Sequence, residues 1–412
     1  MKKSNKKKII NDPVHGFITI TGDILLEIIG HPYFQRLRRI KQLGLTHLVY
    51  PGAMHTRFHH AVGAMFLMDE AVKSLRQKGH VISPAESEAA RAAILMHDIG
   101  HGPFSHALEH SIVDGITHEE ISLMMMQRLN DDFGGSLTTA IDIFRGDYKK
   151  RFLSQLISSQ LDVDRMDYLR RDSFYTGVSE GVIGTQRILK MLDVIDDALA
   201  VEVKGIYSID NFLNSRRIMY WQVYLHKTVL SAEFTLINIL KRARRLAMNG
   251  EELFATPALR YFLYNKTGTA DFKNKEVVDN FAALDDFDIL ASIKVWKNHN
   301  DKVLADLCDR IINRRLLKIE LSNEPFDEDT IEKLKRKLKT AMPFAASHSE
   351  YYVFTGKSEN HSYDINRNNI NILMKDGKVR DLSEVSDQWR HGASGFVTEK
   401  YFLCYPENLK TE

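Results

Sequence analysis

Cysteine is scarce in this sequence, with only Cys308 and Cys404 among 412 residues. Two cysteines cannot form a disulfide framework or a thiolate metal cluster, and such scarcity is typical of proteins from a reducing compartment. Long hydrophobic runs are lacking too, since no window approaches the ~18 consecutive apolar residues of a membrane span. We therefore expect a cytoplasmic protein without membrane spans.

A large excess of charge of one sign is also missing. The 56 basic and 54 acidic residues give a formal net charge of +2, which provides no reason to expect a nucleic-acid or membrane partner. The local exception is the lysine-rich opening, which has no apolar stretch of the kind found in secretory signals. We interpret residues 1–8 as a solvated basic tail.

Helical periodicity extends over most of the chain. Apolar residues recur at three- and four-residue spacings and predict helices over residues 23–29, 32–42, 58–75, 152–171, 212–246 and 329–341. Ser83, Pro84 and Glu86 form a helix start, and the helix is predicted to continue to Asp98. A capping box places His118 at the start of another helix.

Strand patterns are short and lie near the two ends of the sequence. Residues 14–20 alternate in polarity after a turn signal, and residues 351–354, 370–374 and 401–405 also read as strands. The pattern predicts a mainly α protein. We expect a helical body at residues 9–345 with a short N-terminal β element, and a small C-terminal α/β lobe at residues 346–412 packed on it.

The first sign of chemistry is the adjacent pair His97 and Asp98, which follows an apolar stretch at residues 92–96. A charge at such a position is costly unless something compensates it. Neighbouring helical side chains point about 100° apart and can bind one ion from two sides. Taken alone, the pair is weak evidence, because a satisfied core histidine or a helix-end charge is the more common explanation.

Further polar residues strengthen the metal hypothesis. They comprise the histidines that follow the pair, an upstream arginine and histidine, and three acids around a downstream arginine: His101, His106, His110, His118, Arg57, His60, Asp162, Asp164, Asp167 and Arg165. Histidine nitrogen and carboxylate oxygen without sulfur suit Fe, Mn, Co or Zn better than Cu(I), and are less typical of Mg alone. We therefore expect a divalent metal, with Mg²⁺ as a possible companion of a bound phosphate chain.

The ordered pattern of His60, His97 with Asp98, and Asp164 resembles that of the HD-domain phosphohydrolases. Longer motifs resemble one branch, the deoxynucleoside triphosphate triphosphohydrolases, which includes the vertebrate SAM-and-HD-domain enzyme and its prokaryotic relatives. The motifs cover most of residues 9–178; they are residues 11–16 (NDPVHG), 34–44 (FQRLRRIKQLG), 50–53 (YPGA), 97–106 (HDIGHGPFSH) and 162–172 (DVDRMDYLRRD). The 412 residues contain no counterpart of the SAM domain.

The resemblance implies a reaction and a set of roles. The family hydrolyses dNTPs to deoxynucleoside and inorganic triphosphate by attack of water at the α-phosphorus. The implied metal ligands are His60, His97, Asp98 and Asp164. The implied catalytic residues are His106 as general acid, His118 as its supporting partner, His101 near the α-phosphate, and Glu109, which stands where the vertebrate enzyme has aspartate and would orient His118.

Substrate and regulatory residues follow from the same motifs. Arg57, Arg165 and Arg216 would contact the triphosphate, with Arg217 as an alternative to Arg216. Gln42 and Asp172 would hold the 3′-hydroxyl, Tyr168 and Tyr224 would flank the deoxyribose, and Leu43 would complete the substrate site. A possible regulatory nucleotide site comprises Asp12, Gln35 and Arg38. The resemblance also implies a homo-oligomer, a dimer or tetramer that is either nucleotide-dependent or constitutive. Because Gly30 and Tyr220 depart from the vertebrate pattern, we do not expect strict activation by GTP.

Two alternatives stay open. The same superfamily includes deoxynucleotide monophosphatases and phosphodiesterases, although three arginines suit a triphosphate better. A nucleotide-sensing or nucleic-acid-binding protein with secondary hydrolysis is a different class, supported by the lysine tail and by basic clusters at residues 244–245 and 335–337.

Overall fold

Helices dominate the chain, which confirms the mainly α prediction. The structure is a computed structural model that describes residues 7–104, 107–108, 111–113, 115–361, 369–389 and 397–409. In that part of the chain the α-helices are α1 Asp23–Gly30, α2 Pro32–Gln35, α3 Arg57–Gln77, α4 Pro84–Met96, α5 His118–Asp132, α6 Thr138–Arg145, α7 Arg151–Ile157, α8 Val163–Thr176, α9 Thr185–Met191, α10 Ile206–Met219, α11 Lys227–Met248, α12 Pro257–Tyr264, α13 Lys275–Ala283, α14 Asp286–Trp296, α15 Lys302–Ile312, α16 Glu328–Ala341 and α17 Leu382–Val385.

The chain begins with a β-hairpin. Strand β1 (Lys7–Asp12) pairs antiparallel with β2 (Gly16–Thr21), so the strand lies slightly later than residues 14–20 and gains a partner. Ile18 and Ile20 of β2 are buried, whereas Lys7 and Lys8, at the end of the segment interpreted as a tail, are exposed residues of β1.

Three predicted helices are shorter or interrupted. The segment at residues 32–42 forms α2 and then a 3₁₀ turn, Arg36–Arg39. The segment at residues 152–171 divides into α7 and α8 because the Asp162 side chain accepts from the backbone N–H of Arg165 (2.7 Å) and caps a new helix. The segment at residues 212–246 divides at a π-helical turn, Tyr220–Tyr224, before His226 caps α11.

The C-terminal strands complete sheets that begin earlier in the chain. Strand β7 (Asn371–Leu373) lies parallel to β4 (Ala198–Glu202) in a four-stranded sheet ordered β3-β4-β7-β8, with β3 at Leu192–Ile195 and β8 at Val379–Asp381. Strand β9 (Val397–Tyr405) lies between β5 (Lys318–Ser322) and β6 (Phe354–His361). Pairing therefore crosses the boundary expected at residue 346, and the division into domains stays a prediction.

Two of the three predicted C-terminal strands match observed ones. Residues 370–374 contain β7, and residues 401–405 form the second half of β9. Residues 351–354 do not form a strand of their own, because Ser349–Tyr351 is a 3₁₀ turn and β6 starts at Phe354.

Helix α3 lies at the centre of the fold and packs against both α4 and α8. Most of its residues are buried, as expected for a helix of low amphipathicity that is surrounded by other elements.

No helix among the described residues is long and apolar enough to cross a membrane.

Close approach of α3 and α8 depends on Gly63. A Cβ at this position would lie 2.1 Å from Asp167 Oδ1 and 2.2 Å from Arg171 Nη2. Both of these side chains are completely buried, so neither can move aside into solvent. The absence of a side chain at residue 63 therefore lets a buried ion pair of α8 lie directly on α3.

We expect Gly63→Ala to lower the free energy of unfolding by about 1–3 kcal/mol, because the added methyl group overpacks this contact. The shift of the urea unfolding midpoint measures it. Gly30→Ala is the matched control, since a Cβ on that helical glycine meets nothing within 4 Å. Equal stability of the two variants would contradict the assigned role of Gly63.

A candidate metal centre and the adjoining cavity

Three helices bring a histidine–carboxylate cluster together. His60 lies in the first turn of α3, His97 is the C-cap of α4, and Asp164 lies in the first turn of α8. The Nε2 atoms of His60 and His97 are 3.3 Å apart, and Asp164 Oδ1 lies 3.0 Å from the first and 3.4 Å from the second. All three ligand atoms lie within 4.8 Å of one another, which is close enough to bind one ion.

Asp98 lies at the edge of this cluster. Its Oδ1 is 3.3 Å from His97 Nε2, and its Oδ2 is 3.9 Å from His60 Nε2. Asp98 Oδ2 also accepts a 2.5 Å hydrogen bond from Arg57 Nη1. The structure thus brings all four predicted metal ligands together and places the predicted phosphate-binding Arg57 directly against one of them.

The donor atoms fit a cation. His60 Nδ1 is 2.8 Å from Asp167 Oδ2, and His97 Nδ1 is 2.6 Å from the carbonyl oxygen of Ile94. Because a carboxylate and a carbonyl can only accept hydrogen bonds, each ring carries a proton at Nδ1. In the neutral form of the ring, Nε2 therefore has a free lone pair. Two lone pairs and a carboxylate oxygen therefore face one another, which is the arrangement of a metal site with oriented histidine ligands.

The pKa shifts of the clustered residues also indicate a site for a positive charge. Burial lowers the pKa of His60, but hydrogen bonds to Asp164 and Asp167 outweigh it and raise the pKa to about 10. Burial also opposes the charged form of His97, yet the carboxylates of Asp98 and Asp164 raise its pKa. Asp164 is only partly buried, and its hydrogen bonds to the two histidines lower its pKa against the desolvation that would raise it. These shifts show that the cluster favours positive charge inside it, from protons or from a metal.

Asp167 connects the cluster to the rest of the protein. Its carboxylate is fully buried and, besides His60, contacts His15 Nε2 at 2.7 Å and Arg171 at 2.9 and 3.0 Å. Arg171 in turn donates to Asp12 at 2.8 and 3.3 Å. No sequence pattern singled out Asp167 or His15 for this role, although Asp167 follows Asp164 at helical i, i+3 spacing.

The loop after His97 is held by the start of α5. The Gly100 N–H donates to Ser122 Oγ (2.9 Å), and that hydroxyl donates to the carbonyl of His97 (2.8 Å). A Cβ on Gly100 would lie 2.3 Å from the carbonyl oxygen of His118, so only glycine permits this contact. The loop and helix thereby hold His97 in place.

His101 and His118, two of the residues predicted to be catalytic, lie beside the metal centre. Their rings stack with centroids 3.9 Å apart, and His101 Nε2 is 3.3 Å from Asp98 Oδ1. Burial and then the charge of Arg57 hold the pKa of His101 well below its usual value, so this imidazole is neutral at physiological pH. The other two predicted catalytic residues, His106 and Glu109, lie outside the described residues.

A cavity of about 340 Å³ adjoins the centre. Six predicted substrate residues line it: Gln42, Leu43, Arg57, Tyr168, Asp172 and Tyr224. Lys41, Tyr220 and Glu233 line it too and were not predicted. Arg165 and Arg216 are not among the described lining residues; Arg165 is paired with Asp162, and the Arg216 guanidinium lies 5.9 Å from the ring centroid of Tyr220.

One polar chain crosses the cavity wall. Asp172 Oδ1 is 2.7 Å from His55 Nε2, and Asp172 Oδ2 accepts from the Tyr224 hydroxyl at 2.7 Å. The His55 ring stacks on Tyr175, with centroids 4.4 Å apart and planes inclined by 19°. His55 therefore orients Asp172, a role that no motif indicated because the two residues are 117 positions apart.

The predicted regulatory residues do not all meet. Gln35 donates to the carbonyl of Ile29 (2.6 Å), and Arg38 Nε donates to Gln35 Oε1 (3.0 Å), so these two are in contact. Asp12 is buried, and its carboxylate is engaged by Arg171 and by the backbone N–H groups of the hairpin turn.

Comparison with known proteins identifies the family. A solved phosphohydrolase structure from Bacteroides thetaiotaomicron superposes with a TM-score of 0.94 at 53% sequence identity, covering 97% of this chain and 100% of that one. The HD domain profile matches residues 57–172, which contain all four predicted ligands. The chain belongs to the HD-domain phosphohydrolases.

Other relatives of this HD-domain phosphohydrolase differ in the share of the chain that they match. The uncharacterized protein YwfO of Bacillus subtilis is 32% identical over 99% of this chain and 94% of its own length. A Dictyostelium discoideum homologue of the deoxynucleoside triphosphate triphosphohydrolase SAMHD1 is 34% identical over 266 residues, which are 60% of this chain and 51% of that protein. The chain thus spans about half of the relative whose substrate is named.

The raised pKa of His60 predicts that metal binding releases protons. Below about pH 10 the metal-free cluster holds a proton that a cation at Nε2 must displace, so Mn²⁺ affinity should rise with pH between about pH 6 and pH 8. Calorimetric titration with Mn²⁺ in two buffers of different ionisation enthalpy measures the protons released. An affinity independent of pH would contradict this electrostatic description.

Asp167→Asn should weaken metal affinity by about 10–100-fold, because the partner that orients His60 and raises its basicity is neutralised. Equilibrium dialysis with metal quantification measures the change. Asp193→Asn is the matched control, since Asp193 also pairs with a histidine, His80 at 2.6 Å, but lies away from the cluster. Unchanged metal affinity in Asp167→Asn, with an intact circular dichroism spectrum, would remove this role.

Proposed function

We propose that this HD-domain phosphohydrolase hydrolyses deoxynucleoside triphosphates to deoxynucleoside and inorganic triphosphate. The observation that carries the proposal is the cavity beside the metal centre. Arg57, which donates to the proposed metal ligand Asp98, lines this cavity, and Asp172, Tyr168 and Tyr224 form another part of its wall. Such a cavity offers a cation for phosphate next to polar and aromatic groups suited to a sugar. Similarity to the SAMHD1 homologue of Dictyostelium supports the same substrate class.

The sugar end of the cavity has open hydrogen-bonding capacity. Gln42 Oε1 is buried and has no partner among the described residues, and a hydroxyl donor of the substrate would satisfy it. Each Asp172 oxygen retains a lone pair after bonding His55 or Tyr224. We assign these acceptors to the 3′-hydroxyl. The Tyr168 and Tyr224 rings meet edge to face, with centroids 6.1 Å apart, and would pack against a deoxyribose without a 2′-hydroxyl.

The phosphate end supplies cations. Arg57 is buried, and its Nε has no partner in the described part of the chain, so phosphate oxygens would complete its hydrogen bonding. Buried Nε atoms of Arg165 and Arg216 also lack described partners, and both charges act on Tyr168 of the cavity wall. Three arginines suit a triphosphate better than the monophosphate of the alternative superfamily reactions.

His60, His97, Asp98 and Asp164 would hold a divalent metal, for which we propose Fe, Mn, Co or Zn, with Mg²⁺ accompanying the triphosphate. Such an ion polarises a phosphoryl oxygen and lowers the pKa of water. Neutral His101 has a single N–H and lies with Nε2 3.3 Å from Asp98 Oδ1, and we assign it as a polar contact near the α-phosphate. His118, whose ring stacks on His101, is assigned as the supporting partner of His106. His106 remains the proposed general acid on the sequence resemblance.

We also propose that the protein forms homo-oligomers and that Gln35 and Arg38 contribute to a regulatory nucleotide site. Their mutual hydrogen bond and the exposure of Arg38 support this assignment. Asp12, which is engaged by Arg171, would stabilise the hairpin beside that site rather than contact a nucleotide.

The decisive measurement is product identity. Metal-loaded protein should release equal amounts of deoxynucleoside and tripolyphosphate from dNTPs, separated by ion-exchange chromatography, and should act at least about tenfold more slowly on ribonucleotides.

Asp164→Ala should lose bound metal and activity together. His106→Ala should keep its metal but turn over about 100-fold more slowly, because proton transfer to the leaving group is lost.

Other products would exclude this reaction. Orthophosphate released from dAMP would favour a monophosphatase, and absence of tripolyphosphate with every dNTP would refute the proposal. Full activity of His106→Ala would refute the role of His106 alone, since metal binding is measured separately.

A further inference from the structure

Glu233 is the acidic residue of the described cavity lining to which the proposed reaction gives no role. It lies on α11, and its neighbours on the same face, Leu230 and Leu236, line the cavity with it. Glu233 is half-buried, whereas both leucines are buried. One carboxyl group is thus placed among apolar side chains.

The Glu233 carboxyl group has no partner in the ranges that the structure describes. No hydrogen bond or neighbouring charge acts on it, and burial alone raises its pKa to about 7. Because Glu233 is only half-buried, water in the cavity can solvate it, but a ligand that fills the cavity would displace that water and would have to supply hydrogen bonds in its place. Asp172, the other carboxylate of the cavity, is already bonded to His55 and Tyr224.

The surroundings of Glu233 suit a nucleobase. With the phosphates assigned to Arg57 and the sugar to Asp172 and the two tyrosines, the lining that remains includes five large apolar residues, Leu45, Phe104, Leu225, Leu230 and Leu236. Lys41, Thr46 and Tyr220 are its polar residues besides Glu233. Binding pockets for planar ligands combine such walls with a few placed polar groups that fix orientation. Glu233 is the acidic group of this part of the lining.

An ionised carboxylate accepts hydrogen bonds and cannot donate them. Guanine presents two adjacent donors, N1–H and the N2 amino group, on one edge. Adenine and cytosine place an acceptor beside their amino group, and thymine places carbonyl oxygens on both sides of its single N–H. Two parallel hydrogen bonds to a carboxylate are stronger and more selective than one.

We propose that Glu233 reads the base of the substrate and that its carboxylate, by accepting from N1–H and N2–H of guanine, makes dGTP the preferred dNTP. This rests on the proposed dNTP hydrolysis. Glu233 would gain the partners it lacks, and the other three bases would leave it unsatisfied or opposed by an acceptor.

The test compares kcat/KM for dGTP, dITP, dATP, dCTP and dTTP. Inosine retains N1–H but lacks the N2 amino group, so dITP reports one of the two bonds. In the wild-type protein dGTP should be hydrolysed at least about tenfold more efficiently than dITP, as expected for the loss of a hydrogen bond to a charged group. The bases with an acceptor opposite Glu233 should rank lower.

Glu233→Gln keeps the side-chain volume and removes the charge. We expect its dGTP-to-dITP ratio to approach one, while tripolyphosphate release continues. Glu252→Gln is the matched control, because its side chain is 87% exposed and outside the cavity, and it should retain the wild-type ratio. The ratio is internal to each protein, so it does not depend on how much of a preparation is folded.

The two proposals fail in different ways. If the wild-type protein releases tripolyphosphate but treats dGTP and dITP alike, or if Glu233→Gln keeps the preference, Glu233 does not read the base and dNTP hydrolysis stands. If no dNTP yields tripolyphosphate, both proposals are overturned.

Discussion

The fully buried carboxylate of Asp167 is the interaction on which this structure depends. It binds His60, His15 and Arg171 at once, and so joins a metal ligand, the N-terminal hairpin and α8. A single buried carboxylate would be unstable, but three hydrogen-bonding partners hold its pKa well below its usual range against the effect of burial. The metal centre is therefore oriented by interactions that also hold the fold together.

This arrangement explains why α3 is so thoroughly buried. A helix that carries a metal ligand at its start must be fixed on several sides, and α3 has α4 and α8 packed against it. Gly63 allows α8 to pack closely on α3, because a Cβ at this position would overlap the Asp167 side chain. The contact between α3 and α8 therefore both stabilises this part of the fold and positions His60.

Much of the fold could be predicted because its signals are local, whereas the four residues of the metal centre were assigned together from the family resemblance. The predicted helix start at Ser83 and Glu86 is confirmed and is closed by two reciprocal hydrogen bonds, and the paired His97 and Asp98 mark the end of α4. His55 with Asp172 and His15 with Asp167 could not be predicted in this way, because 117 and 152 residues separate the partners. Glu233 was missed for a related reason: its significance lies in the absence of a partner, which only the packed structure reveals.

The π-helical turn at Tyr220–Tyr224 has a consequence for how the site can vary. A π-turn contains an extra residue relative to an α-helical turn, and each helical residue rotates the chain by about 100°. Because α10 runs directly into this turn, deleting one residue within it would rotate α10, and with it Arg216, by about 100° relative to Tyr224 of the cavity wall. The length of this turn, and not only the identity of its residues, therefore sets the direction in which Arg216 points relative to Tyr224.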